Sequence, residues 1–407
     1  MSKINDLIKE LCPNGVEYKN IKDLCLENFW VMPSTPKYQI EGIPYITSKN
    51  IRNGIVMFND VKYITEDDYK SISNNRPIKD NDFLVSMIGT IGEVGIVKSD
   101  DLPFYGQNMY LLRLNTELVS IKFFYHYFTS DKVRNILLGE KNNGNQGYLK
   151  TKNIEMLKIP CPPLEVQEEI VRILDKFGEL EAELEAELEA RKRQYEFWCG
   201  SLFDFKDYVK ELSLEELCNI VDYRGKTPKK VDSGIFLVTA KNIKMGYIDY
   251  DYSKEYIAED DFENVMRRGK ANIGDVLFTT EAPCGHAAQV DNSNIALAQR
   301  VIKYSSKDIS KLDNSYLKYA LLSRQFQSKL IETSTGATVK GIKGSKLHKL
   351  TIPVPTIETQ LKIVNILDRF DKLINDITVG LPSEIELRRQ QYEYYRNKLL
   401  SFEELNG

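Results

Sequence analysis

The feature that most constrains this 407-residue chain is that it says the same thing twice. Leu157-Lys-Ile-Pro-Cys-Pro-Pro-Leu-Glu-Val-Gln-Glu-Glu-Ile-Val-Arg-Ile-Leu-Asp-Lys-Phe-Gly-Glu-Leu180 returns as Leu350-Thr-Ile-Pro-Val-Pro-Thr-Ile-Glu-Thr-Gln-Leu-Lys-Ile-Val-Asn-Ile-Leu-Asp-Arg-Phe-Asp-Lys-Leu373, displaced by 193 residues and identical at 13 of 24 positions. Upstream, Thr35-Pro36-Lys37 is echoed by Thr227-Pro228-Lys229, Lys49-Asn50-Ile51 by Lys241-Asn242-Ile243, and Tyr63-Ile-Thr-Glu-Asp-Asp68 by Tyr256-Ile-Ala-Glu-Asp-Asp261, all at an offset of 192 to 193. A unit of about 190 residues is far longer than a solenoid repeat, so it predicts two similar domains related by a pseudo-twofold axis. Between the echoes the halves diverge, as in Met87-Ile-Gly-Thr-Ile-Gly-Glu-Val-Gly-Ile-Val97 against Thr279-Thr-Glu-Ala-Pro-Cys-Gly-His-Ala-Ala-Gln-Val290. The frame repeats and its filling differs.

Local patterns give each half the same content. Ile43-Pro-Tyr-Ile-Thr47, Asp82-Phe-Leu-Val-Ser86, Tyr110-Leu-Leu-Arg-Leu114, Ile235-Phe-Leu-Val-Thr239 and Asp275-Val-Leu-Phe-Thr279 are short, β-branched or aromatic, and bounded by turn formers, which predicts strands. Ile121 to Leu138 and Asn314 to Glu332 keep helical spacing. The expected class is α+β: two similar mixed α/β domains, each followed by one long helix. The expected boundaries are 1–157, 158–204, 205–350 and 351–407.

The long helices have definite signals. Pro160, Pro162 and Pro163 force an extended approach, and no proline follows before residue 205. Counted in sevens, Ile170, Phe177, Leu184, Arg191 and Trp198 fall on one seam position and Leu174, Glu181, Leu188, Tyr195 and Leu202 on the other, a coiled-coil stripe with two polar interruptions. Within it Glu179-Leu-Glu-Ala182 occurs three times in succession, to Ala190. In the second copy the offset grows from 193 to 197 when Arg191-Lys-Arg-Gln-Tyr-Glu196 is matched to Arg388-Arg-Gln-Gln-Tyr-Glu393. The added residues fall near Gly380-Leu-Pro382, which predicts a break there and a fresh helix from about Ser383 to Phe402.

Composition excludes several classes. With 42% hydrophobic and 28% charged residues the chain is globular, and no apolar run is long enough to cross a bilayer. The start, Met1-Ser-Lys-Ile-Asn-Asp6, lacks the pattern of a secretory signal, so a cytoplasmic location is expected. Cys12, Cys25, Cys161, Cys199, Cys218 and Cys284 are scattered without a C-x-x-C pair, which fits free thiols rather than disulfides or a metal site. His126, His286 and His348 lie far apart and outline neither a zinc site nor a catalytic triad. Pro160-Cys-Pro-Pro163 is not an adenine-methyltransferase motif, and Gly225-Lys-Thr227 lacks the first glycine of a phosphate loop. The net charge of -4 seems unfavourable for a nucleic-acid binder. Residues 165–189, however, hold ten acidic residues against Arg172 and Lys176, a net of -8, so the rest of the chain carries -4 - (-8) = +4.

The doubled Ile159-Pro-Cys-Pro-Pro-Leu-Glu-Val-Gln167 with its Ile-Leu-Asp-Lys-Phe177, the second copy from Ile352 to Phe370, the Arg-Lys-Arg-Gln-Tyr-Glu and Gln-Gln-Tyr-Glu-Tyr-Tyr helix endings, and the opening Glu10-Leu-Cys-Pro-Asn-Gly-Val-Glu-Tyr-Lys19 resemble the type I restriction-modification specificity subunits. The resemblance covers essentially the whole chain. It implies two target-recognition domains, each reading half of a bipartite double-stranded DNA site, held apart by two antiparallel conserved helices. It also implies two methyltransferase subunits and two restriction subunits as partners, with S-adenosylmethionine, ATP and Mg bound in those partners and no cofactor, metal or catalytic residue in this chain. A helix that sets half-site spacing makes the Glu-Leu-Glu-Ala repeat a length adjuster, each copy worth ~6 Å and ~40° of rotation.

DNA reading needs cations for phosphates and forked donors or acceptors for base edges. In the first half Lys49, Asn50, Arg52, Gln107, Asn108, Asn145, Gln146 and Lys150 are candidates. In the second they are Lys226, Lys229, Lys230, Lys241, Asn242, Lys244, Arg267, Arg268, Gln299, Arg300, Lys340, Lys343 and Lys346. The repeated Lys-Asn-Ile reads equally as a fold-stabilising turn. Tyr195, Phe197 and Trp198, with Tyr392, Tyr394 and Tyr395, form aromatic clusters near the helix ends that are expected to pack against the neighbouring domain or the other helix, with partner docking through Tyr195, Trp198, Tyr392 and Tyr395 as the functional alternative. Two rival functions follow from the same residues: a coiled-coil scaffold that reads no DNA, and a self-sufficient modification enzyme.

Overall fold

The computed structural model describes residues 2–139, 149–205, 209–223, 228–335, 341–376 and 379–405. It forms two units, Met1–Ala182 with Glu386–Gly407, and Glu183–Ile385. Each unit combines one domain with the beginning of one long helix and the end of the other.

In the first unit a four-stranded antiparallel sheet runs in the order Cys25–Val31, Met109–Leu114, Phe83–Ser86, Val94–Ile96. Alternation along these strands sends Phe83, Val85, Tyr110 and Leu112 to one core and Leu84, Met109 and Leu111 to another, so both faces are buried. The first core receives the helix Ile121–Phe128 and Val166, Ile170 and Leu174 of the central helix. The second lies under a smaller sheet in which Ile43–Thr47 pairs antiparallel with Lys62–Ile64 and parallel with Tyr105–Gln107.

The second unit repeats the plan. Its main sheet runs Cys218–Asp222, Val301–Ser306, Val276–Thr280, Cys284–Gln289, and its smaller sheet pairs Ile235–Val238 in parallel with Ile295–Leu297. Val276, Phe278, Ile302 and Tyr304 join the helix-side core, while Leu277 and Val301 join the other. Even the buried ion pair recurs: Arg113 on Asp82 at 2.8 Å in one unit, Lys303 on Asp275 at 2.7 Å in the other.

The glutamine of the repeated Pro-x-x-x-x-Gln segment explains why that motif is doubled. Gln167 is fully buried; its Oε1 accepts from Ser120 N at 2.8 Å, and its Nε2 donates to Leu118 O at 3.0 Å and Pro162 O at 2.8 Å. Gln360 accepts from Asp313 N at 2.9 Å and donates to Lys311 O at 2.8 Å and Pro355 O at 2.9 Å. In each unit one saturated amide locks the start of a long helix to its domain.

The central helix is continuous from Leu164 to Ser201, 38 residues or ~57 Å. The distal segment forms two helices, Ile357–Asn375 and Leu381–Leu399, so the second begins slightly ahead of the position expected from sequence, with Pro382 in its first turn. Two further spans with helical spacing are each divided. Ile121–Phe128 is followed by Asp131–Gly139, and Asn314–Leu322 by Arg324–Thr333. Ser323 supplies the reason in the second case, because its Oγ accepts from Phe326 N and caps a new helix.

Inside the first unit the two helices run antiparallel. Phe177 stacks on Tyr395 with ring centroids 5.3 Å apart, and Glu181 pairs with Arg389 at 2.6 Å. Inside the second, Phe370 meets Tyr195 at 6.5 Å. The chain ends also meet in the first unit: Val16 forms a parallel bridge with Glu404, and Tyr18 donates to Phe402 O at 3.0 Å.

Candidate nucleic-acid interface

One end of each main sheet gathers three loops on a single residue. In the first unit Met87, just past the strand Phe83–Ser86, donates its N–H to Asn108 O at 3.2 Å and accepts from Leu149 N at 3.1 Å. In the second, Thr280 donates to Arg300 O at 3.0 Å and accepts from Ile342 N at 3.0 Å. One residue therefore ties the crossover between the two sheets to the segment that leads back to the long helix. A hairpin loop joins it from each strand end, and Thr90 Oγ1 links that hairpin to the Lys49 turn by donating to Ser48 O at 3.3 Å. In the second unit His286 Nδ1 reaches Ile243 O at 2.9 Å to make the corresponding link. These junctions hold the divergent residues of the duplicated frame, which is what two readers of different sequences require.

Several candidates sit at these junctions. Lys49, Arg52 and Lys150 are exposed in the first unit, with Gln107 and Asn108 half-buried beside them. Lys241, Arg300, Lys343 and Lys346 are exposed in the second, with Gln299 half-buried. Lys244 lies 3.8 Å from the centroid of the exposed Tyr252 ring. Elsewhere, Lys229 is exposed, Lys230 pairs with Glu255 at 2.8 Å, Arg267 is exposed and Arg268 donates to Asp222 O at 2.6 Å. Asn145, Gln146, Lys226 and Lys340 lie outside the described residues.

Asn50 and Asn242 do not fit a contact role. Both are buried, at 4% and 0% exposure, and both spend their amides on the backbone. Asn50 Oδ1 accepts from Thr47 N at 3.1 Å while its Nδ2 donates to Asn59 O at 3.1 Å. Asn242 Oδ1 accepts from Thr239 N at 3.0 Å and its Nδ2 donates to Asp249 O at 3.0 Å and Ser253 O at 3.2 Å. The repeated Lys-Asn-Ile is a turn that needs asparagine.

The aromatic candidates also divide. Tyr395 packs on Phe177, Tyr195 on Phe370, and Tyr392 donates to or accepts from His126 Nδ1 at 3.0 Å, so these three half-buried rings pack within their own units. Trp198 remains 38% exposed beside Phe197. In the same aromatic clusters Phe197 and Tyr394 are equivalent at the offset of 197 and are exposed at 67% and 61%.

The histidines all have structural partners. His126 bridges Tyr392 and Asp175, the latter at 2.9 Å, and burial holds its pKa below the ordinary value against the pull of Asp175. His348 Nδ1 meets Tyr304 OH at 3.0 Å. Among the described residues no group of three or more His, Cys, Asp and Glu side chains is placed to hold a metal ion.

A duplicated frame that presents two different cationic, amide-bearing loop junctions suits one class of protein, a two-headed reader of nucleic-acid sequence. The chain belongs to the type I restriction-modification DNA specificity family, whose sequence model matches residues 13–190 and 206–387. It is 35% identical over 270 residues to the specificity subunit of the Escherichia coli type I restriction enzyme EcoR124I/EcoR124II, a match covering 63% of this chain and 65% of that relative's own length. It is 26% identical over 415 residues to a putative type I restriction enzyme specificity subunit of Haemophilus influenzae, covering 97% of this chain and 98% of that one. Among solved structures, a chain from work on complex assembly and conformational transition of the type I restriction-modification system aligns with TM-score 0.65 at 16% identity, covering 95% of this chain and 98% of the other. The S subunit from M. genitalium aligns at TM-score 0.51 and 15% identity, covering 95% and 96%. These structural likenesses establish the fold.

Proposed function

We propose that this specificity subunit reads a bipartite DNA site, one half at each loop junction, and positions two methyltransferase and two restriction subunits that carry out the chemistry. The observation that supports it most is the junction itself, built twice from matching backbone bonds around Met87 and Thr280 but lined by different side chains. The continuous helix Leu164–Ser201 is the ruler in this reading, because a rigid spacer admits only half-sites at one separation along B-DNA. Phe197 and Tyr394, quasi-equivalent and exposed, suit two copies of one partner. S-adenosylmethionine, ATP and Mg belong to the partner subunits, and the complex works in the cytoplasm.

The test is reconstitution. The chain co-expressed with its methyltransferase should methylate one bipartite sequence, whereas the chain alone should transfer no methyl group from S-adenosylmethionine. Methyl transfer by the chain alone would make it a self-sufficient enzyme, and a complex without sequence preference would make it a scaffold.

A further inference from the structure

We propose that Asn108 and Arg300 are base-reading side chains, Asn108 taking an adenine in the half-site of the first unit and Arg300 a guanine in that of the second. This rests on the bipartite reading above and adds which residue reads which base.

The two residues occupy the same place. Each lies at the crossover from the smaller sheet to the main sheet, between Tyr105–Gln107 and Met109–Leu114 or after Ile295–Leu297 and immediately before Val301–Ser306. Each has a left-handed backbone, with φ +66° at Asn108 and +71° at Arg300. Asparagine tolerates that region; a long side chain such as arginine does not choose it, and glycine would satisfy the turn without strain. At Arg300 this backbone is unfavourable for the residue present, and the matched position in the first domain holds an asparagine with the same backbone, which marks a position occupied for its side chain.

The backbone is fixed at both positions, while the side chain is exposed at Arg300 and half-buried at Asn108. The carbonyls of Asn108 and Arg300 are the ones held by Met87 N and Thr280 N, so each residue is pinned at the centre of its junction. Arg300 is 56% exposed along its side chain, and its Nε is bound by Glu281 Oε1 at 2.7 Å. Glu281 in turn is held in an antiparallel bridge with Gly341. A carboxylate on the inner nitrogen orients the guanidinium and leaves the pair of outer nitrogens as the fork that matches O6 and N7 of guanine; the asparagine amide matches N6 and N7 of adenine. Where the frame is duplicated and the chemistry of the presented group changes, base identity is the property that differs between half-sites.

The experiment uses the full chain with its methyltransferase and a DNA library carrying all four bases at every position of the site. Arg300→Gly and Asn108→Gly remove the side chains at positions where glycine is the residue best suited to the backbone, so both variants should unfold within ~2 °C of the parent. Arg300→Gly is expected to lower discrimination at one guanine of the second half-site by about 5- to 150-fold, and Asn108→Gly to do so at one adenine of the first, with the other half-site unchanged. Arg300→Lys should retain a weaker guanine preference. Unchanged discrimination in both glycine variants overturns the proposal while the parent's bipartite motif upholds the reading beneath it. Relaxation at a different base, or a uniform loss across all positions as for a phosphate contact, overturns it as well. A parent without a bipartite motif contradicts the underlying function instead.

Discussion

Replacing Gln360 by leucine should detach the distal helix from its domain at a cost that the hydrogen bonds allow one to size. The amide is completely buried, and its loss leaves Asp313 N, Lys311 O and Pro355 O without their partner. A buried backbone group left unsatisfied costs ~1–3 kcal/mol, so three give roughly 3–9 kcal/mol before relaxation, and ~3–5 kcal/mol is expected after water reaches part of the site. For a unit of this size ~2–4 °C accompany each kcal/mol, which predicts a fall of roughly 6–20 °C in the midpoint of one calorimetric transition. Gln167→Leu should behave alike, because its three bonds match in kind and length. Gln360→Glu should be no milder, since a carboxylate cannot donate to the two carbonyls and is itself costly to bury. A loss below ~1 kcal/mol for both leucine variants would refute the assignment of this glutamine as the lock between helix and domain.

Three further outcomes are expected. Because burial depresses the pKa of His126, its neutral form is favoured in the folded state; that stabilisation is present above the unfolded value of ~6.5 and is lost as pH falls through the folded pKa. Acidification from ~pH 7 to ~pH 5 should therefore lower the unfolding midpoint. His126→Tyr, which copies the Tyr319 hydroxyl that donates to Asp368 at 2.6 Å in the second unit, should remove that portion of the slope; an unchanged slope contradicts the assignment. Deleting Glu183-Leu-Glu-Ala186 should shorten the central helix by ~6 Å and turn its end by ~40°, shifting the methylated half-site spacing by about one or two base pairs; an unaltered spacer disproves the ruler. Phe197→Ala with Tyr394→Ala should weaken methyltransferase association about 10- to 100-fold in sedimentation experiments without lowering the unfolding temperature, and undiminished assembly would exclude them as anchors.

Much of the fold was legible in the sequence because its determinants are local or repeated. The strand Ile43–Thr47 follows from β-branched and aromatic residues between turn formers, and the uninterrupted Leu164–Ser201 helix from proline placement and the seam from Ile170 to Leu202. The division of the later helices was less visible: a continuous 3.6-residue period runs through Ser323, and only the cap at Phe326 N shows that the chain restarts there. The candidate site was legible by residue type and not by arrangement. Asn50 and Asn242 satisfy the chemistry of a base reader, yet their amides are consumed by backbone nine to eleven residues away or nearer, which no composition argument reveals. The junctions depend on bonds between residues far apart in sequence, Leu149 with Met87 and Ile342 with Thr280, and the left-handed backbone of Arg300 has no sequence signal because arginine does not favour it. Tyr392, Tyr395 and Tyr195 were distinguishable from Phe197 and Tyr394 only once the helix faces were placed.

If two differently lined junctions read two separate half-sites, the pattern of methylated bases must carry both. Single-molecule mapping of methylated bases in cells that express the chain with its methyltransferase tests it most directly. The expected result is one asymmetric motif whose two defined halves are separated by a spacer of constant length and undefined sequence. A single uninterrupted motif, or methylation without sequence preference, would contradict it.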